Sequence, residues 1–223
     1  MNVQIKQNKN NIKRKEDLLS DSYFNSLLNI TIKYSQYEEI HEFIKDLLTM
    51  NNEQDYKEYL DTFQDENNGL YEKLYEVYNL FSQWKPWKLY NMSECRGMFF
   101  EELILKYLKP NNMDGNIYTE SKMIVNDYSS HTWDIIVELN KYFKLYECKF
   151  SSYHIKRKHV DKMVSLKNKL QNSKIYLTVY ENKSLVEYTL KKLRQDTNKE
   201  KYENNLKKIN IFTLENIIRG DAL

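Results

Sequence analysis

The sequence predicts an α/β fold, a sheet flanked by helices, preceded by an N-terminal helical extension. Three observations carry this. First, HTWDIIVELNKYFKLYECKF, residues 131–150, holds two runs rich in Ile, Val, Trp, Tyr and Phe around a polar break at Asn140-Lys141, the pattern of a β-hairpin. Second, residues 153–172 form an amphipathic helix with Val160, Met163, Leu166 and Leu170 on one side, and SKIYLTVY, residues 173–180, then alternates like a strand. Third, residues 16–89 carry mainly helical periodicity, with apolar sets Tyr37, Ile40, Phe43, Ile44, Leu47 and Leu74, Tyr75, Tyr78, Leu80, Phe81.

The hairpin holds the chemistry. A two- or four-residue loop centred on Asn140-Lys141 sets Asp134 opposite Glu147 and Thr132 opposite Lys149. Opposed residues share a sheet face, as do residues two apart on one strand, so Asp134, Glu147 and Lys149 converge. Trp133, Ile135, Val137, Tyr146 and Cys148 take the other face, which suits a core. His131 falls on the Trp133 side by the same alternation, which argues against a role as a catalytic base. Adjacent carboxylates repel, and one would normally keep its proton near neutral pH. A divalent cation removes that conflict, and oxygen ligands suit Mg²⁺ or Mn²⁺. The Lys149 ammonium is then placed to orient or deprotonate a water, or to stabilise charge on a phosphate.

These residues resemble the PD-(D/E)xK nuclease superfamily, the restriction-endonuclease-like fold, over about residues 93–181. The resemblance implies an αβββαβ core with a mixed sheet, occupying residues 93–223 after a mobile basic N-terminus (1–15) and a helical extension (16–92). SECRGMFFEELILKYL, residues 93–108, would be the first helix, with Ser93 as its N-cap. Gly97-Met98-Phe99-Phe100-Glu101 matches the family's G-x-x-F-E pattern and nominates Glu101; helical spacing alone does not separate it from Glu102. Pro110-Asn111-Asn112 and Asp114-Gly115 end that helix, and residues 116–125 would be the first strand. The resemblance further implies that Asp134 and Glu147 bind the metal with help from the Cys148 carbonyl. Glu101 would be a further metal or water ligand, and Lys149 the catalytic lysine. Trp133 stands where the motif's proline would be. On this reading Lys149→Ala abolishes turnover and leaves the fold intact.

The helix after the hairpin presents Lys156, Arg157, Lys158 and Lys162, a basic face suited to phosphates. Beyond the strand at 173–180, residues 185–194 look helical and residues 209–214 look like a last short strand. The expected activity is Mg²⁺-dependent phosphodiester hydrolysis, with DNA favoured over RNA by analogy with the superfamily. The alternatives are a non-catalytic nucleic-acid-binding or assembly subunit, or a nuclease active only with a partner subunit; the N-terminal helices are the surface on which a homodimer or partner subunit is expected.

Composition narrows the rest. Net charge is only +2, so attraction to nucleic acid must be patchy. Five arginines against 29 lysines argue against extensive bidentate base reading. Cys95 and Cys148 form no CxxC pair, and the histidines show no metal-ligand spacing. The acidic stretch 53–66 would repel a phosphate backbone. There is no P-loop, GxSxG or Rossmann glycine pattern, no secretory signal and no long apolar run, which makes a cytoplasmic protein without membrane contact the expectation.

Overall fold

Six strands form one mixed sheet in the order β1 (Val3–Gln7), β2 (Asn116–Val125), β3 (Tyr128–Leu139), β4 (Tyr142–Lys149), β5 (Ser173–Val179) and β6 (Asn210–Phe212). The computed structural model describes residues 2–50, 68–111, 114–194 and 199–221, together with 54, 57, 58 and 61. The acidic stretch 53–66 therefore lies outside the described residues apart from those four positions, as does Asn112 at the predicted helix end. The chain divides into two units, one comprising Met1–Arg14 and Ile104–Asn216 and the other Lys15–Leu103 and Ile217–Asp221.

The sheet belongs to the first unit. Its first four strands are mutually antiparallel, and β5 and β6 then add in parallel. The β3–β4 turn is Asn140-Lys141 with both residues at positive φ (49° and 66°), the geometry of a type I′ hairpin. It fixes Leu139 opposite Tyr142 and Ile135 opposite Tyr146, the predicted register. A parallel strand needs a crossover, and helix α7 (Arg157–Lys169) supplies it between β4 and β5; Val160, Met163 and Leu166 join Ile136, Leu145, Ile175 and Leu177 in one buried cluster. That helix starts later than expected, because residues 152–154 form a 3₁₀ turn instead.

The predicted mobile N-terminus is corrected. Residues 3–7 are a strand paired along the β2 edge from Val3 opposite Val125 to Gln7 opposite Ser121. Val3 and Ile5 pack on the core cluster while Gln4, Lys6 and Gln7 stay exposed. The next residues open helix α1 (Lys9–Leu19). Two apolar side chains in a basic segment are too little to signal a strand whose partner lies more than a hundred residues away.

The second unit is helical. It contains α2 (Ser22–Lys33), α3 (Glu38–Thr49), α4 (Asn68–Trp84), α5 (Pro86–Leu89) and the start of α6 (Met92–Asn111). Asn91, rather than Ser93, caps α6: its side-chain oxygen accepts from the Ser93 and Glu94 amides. On α4 the buried stripe is Leu74, Val77, Phe81 and Trp84, while Tyr75 is exposed. The expected Tyr75 and Tyr78 sit one position round the helix and stack ring on ring instead. Asp21 caps α2 through the Tyr23 and Phe24 amides and accepts from Trp84 Nε1 (2.9 Å) and Tyr90 OH (2.7 Å).

His41 is fully buried in this unit, with Nε2 2.8 Å from the Ser35 carbonyl. Burial pulls its pKa from 6.5 down to about 4, against the opposing Ser35 hydrogen bond. The unfolded chain then binds more protons between those values, so stability is full above about pH 6.5 and falls by roughly 3 kcal/mol as pH drops towards 4. Urea unfolding at neutral and mildly acidic pH measures this, and His41→Gln should flatten that part of the profile. An unchanged slope would refute it.

The short strand β6 is followed by α10 (Leu214–Arg219), and α8 (Lys183–Lys192) and α9 (Lys199–Leu206) precede it. Leu214 thus begins a helix rather than ending the predicted strand.

Candidate functional site

In the sheet unit the centre of β2, β3 and β4 is where polar side chains gather on an otherwise apolar frame. The β2–β3 register sets Thr119 opposite Ile135 and Ser121 opposite Trp133, which brackets Glu120 opposite Asp134. Each offers a carboxylate oxygen, and the two lie within 4.8 Å of one another. Glu120 holds a left-handed backbone (φ 46°), unusual for a non-glycine residue. Its neighbours stabilise that shape: the Asn8 amide donates to the Glu120 carbonyl (2.7 Å) and Asn11 Nδ2 to Glu120 Oε2 (2.7 Å). The Glu120 side chain is buried, and Asp134 is half-buried.

Asp134 has a second tie. Its Oδ2 accepts the Cys148 amide at 2.6 Å, at the end of the regular β3–β4 pairing. The Cys148 carbonyl in turn accepts from Lys149 Nζ at 3.0 Å.

Glu147 and Lys149 form a buried ion pair, Nζ to Oε1 2.6 Å, with side chains 8 % and 17 % exposed. His131 Nε2 meets the other oxygen, Oε2, at 3.0 Å. Burial pushes the Glu147 carboxyl upward, but the His131 hydrogen bond and the Lys149 charge outweigh it and hold its pKa down at about 2. Burial disfavours the Lys149 ammonium, yet the Asp134 and Glu147 charges more than restore it, so its pKa is raised. Lys149 is therefore a held cation in the field of two carboxylates. His159 on α7 is the further group here: burial, then the Lys149 charge, lower its pKa to about 4, with Lys158 and His131 adding to the fall and Glu147 opposing it.

His131 corrects the expectation drawn from alternation. Its ring does pack on Trp133, centroids 4.4 Å apart, but it also reaches Glu147. The pairing shifts by one residue between Lys122 opposite Thr132 and Ile124 opposite Ser129, so Ser130 and His131 together face Met123. Such a bulge re-aims side chains. Ser130 Oγ fills the gap by accepting the Met123 amide (2.9 Å).

The other predicted residues fall as follows. Glu101 lies on α6 in the helical unit, half-buried, with Lys15 bonded to its carboxylate; Glu102 beside it is also half-buried. Lys156, Lys158 and Lys162 are exposed on or beside α7. Arg157 is engaged, 3.0 Å from Asp161 and stacked over the Tyr202 ring at 4.2 Å. Glu120 was not predicted. The signal for it was the β2–β3 register, which the bulge hides: counting from the Asn126-Asp127 turn sets Glu120 against Trp133 instead of Asp134.

No family model matches this chain, and no curated protein matches it. Among solved structures it is similar to protein VC1899 from Vibrio cholerae, with a TM-score of 0.51 and 11% identity, covering 98% of this chain and 56% of that one. The chain thus spans little more than half the length of that neighbour, and the likeness is one of fold. What it supports is a mixed α/β architecture, with a six-stranded sheet and flanking helices. Among the described residues no helix is long and apolar enough to cross a membrane.

Proposed function

We propose that the protein is a metal-dependent nuclease with a PD-(D/E)xK-type centre, in which Glu120 and Asp134 hold a divalent cation. The observation that carries the reading is the convergence of two carboxylate oxygens from neighbouring strands next to an ion-paired lysine. The order α6, β2, β3, β4, α7, β5 supports it, because it is the αβββαβ order that the sequence pattern implies.

The donor set suits a hard cation: carboxylate oxygens, with no thiolate or imidazole in the pair. Mg²⁺ is the proposed ion, with Mn²⁺ as its substitute. A bound cation would supply Lewis-acid polarisation of a phosphoryl oxygen and a more acidic water. The chain's own residues do the rest. Asp134 is held in place by the Cys148 amide, and Glu120 by Asn11. Lys149 stays protonated and offers its charge to the developing phosphorane oxygens, a fixed cation in a largely buried site. Glu147, which the motif would make a metal ligand, is assigned instead to orient that ammonium, and His131 orients it in turn.

The test is incubation of circular plasmid, linear duplex, single-stranded DNA and RNA with Mg²⁺, Mn²⁺ or EDTA, wild type beside Asp134→Asn, which keeps an acceptor for the Cys148 amide. Cutting that needs metal and disappears in the variant supports the reading and identifies the substrate. Cutting that persists in EDTA, or no cutting of any substrate, counts against it.

A further inference from the structure

We propose that a groove along the N-terminal edge of the sheet binds the phosphodiester backbone of a nucleic-acid strand and leads it to the Glu120–Asp134 pair. The groove encloses about 800 Å³ and is lined by Lys6, Gln7, Asn8, Lys9, Tyr118 and Lys122, among others. It lies wholly within the sheet unit.

Charge is the first argument. Lys6, Lys9 and Lys122 are all exposed, and no acidic residue is among the described residues lining the groove. None of the three has a carboxylate partner among the described residues. Lys6 and Lys122 are direct cross-strand partners in the β1–β2 ladder. Like charges directly opposed on a sheet destabilise it, and an anion between them turns that cost into a binding contribution. With a net charge of only +2, this acid-free patch stands out from an otherwise balanced chain.

Continuity is the second argument. Asn8, which lines the groove, donates its amide to the Glu120 carbonyl, and Asn11, just beyond it, donates to the Glu120 carboxylate. The groove wall is thus tied to one of the two proposed metal ligands, so a strand lying in it runs past the carboxylate pair. Phosphates contacted by lysine give sequence-independent affinity. The scarcity of arginine fits such a backbone reader.

The proposal rests on the nuclease reading for its direction of travel, but its test does not need catalysis. The full chain is titrated into end-labelled single-stranded DNA in EDTA, and binding is followed by fluorescence anisotropy. The variant Lys6→Gln/Lys9→Gln/Lys122→Gln is compared with Lys183→Gln/Lys191→Gln/Lys192→Gln on α8, which removes the same charge elsewhere. The groove variant should lose about tenfold in affinity and about two units of salt-dependence slope, and the control should stay within about twofold. Equal losses in both, no loss in either, or no binding by wild type overturns the proposal. If binding follows the groove but nothing is cut with Mg²⁺, only the nuclease reading fails. If the groove variant cuts as well as wild type, only the groove fails.

Discussion

Asp134→Asn removes metal-dependent cleavage, lowering turnover by about a thousandfold or more, and leaves the metal-free fold standing. The rate follows from the loss of one of two anionic oxygens, which weakens a cation's hold and the charge stabilisation it brings, several kcal/mol at the transition state. The fold survives because the substitution keeps an oxygen for the Cys148 amide, now 2.6 Å from Asp134 Oδ2. Alanine would leave that amide without its acceptor and confuse the two effects. Steady-state cleavage together with metal-free melting separates them. Retained turnover, or collapse of the metal-free fold, would contradict the assignment.

Lys149→Met has an even broader effect, because it costs stability as well as activity. The expectation from sequence was an intact fold. The structure revises that, since Lys149 is the cationic partner of a buried Glu147. Removing one member of a buried pair leaves an uncompensated charge, and about 3 kcal/mol is the expected loss. For a chain of this size that lowers the melting temperature by roughly 6–12 °C. The double variant Glu147→Gln/Lys149→Met removes both charges and should recover most of the stability while remaining inactive. Thermal melts of the two singles and the double form a cycle whose coupling measures the pair. Additive losses would show that the ion pair contributes nothing.

The hairpin was the most legible part of the molecule. Asn140-Lys141 interrupts two alternating runs, and a type I′ turn there leaves one register, which fixes the strand positions of Asp134, Glu147 and Lys149 from the sequence alone. α7 and β5 were legible for a similar reason: their apolar spacing is unbroken from Val160 to Val179. Glu120 was not, because reaching Asp134 depends on a bulge three residues from a turn and on a left-handed backbone that its side-chain type does not announce. The same bulge defeated strand alternation at His131. β1 was illegible because its stability comes from the β2 edge rather than from its own residues. The sequence therefore disclosed local geometry and hid what long-range pairing creates.

Isothermal calorimetry of Mn²⁺ binding to wild type and to Glu120→Gln/Asp134→Asn tests the central claim most directly. The account predicts saturable binding by wild type that is lost in the double variant, with Glu147→Gln keeping the ion because that carboxylate serves Lys149. Binding that survives loss of both Glu120 and Asp134, or that vanishes only with Glu147, would contradict it and move the metal to the neighbouring strand.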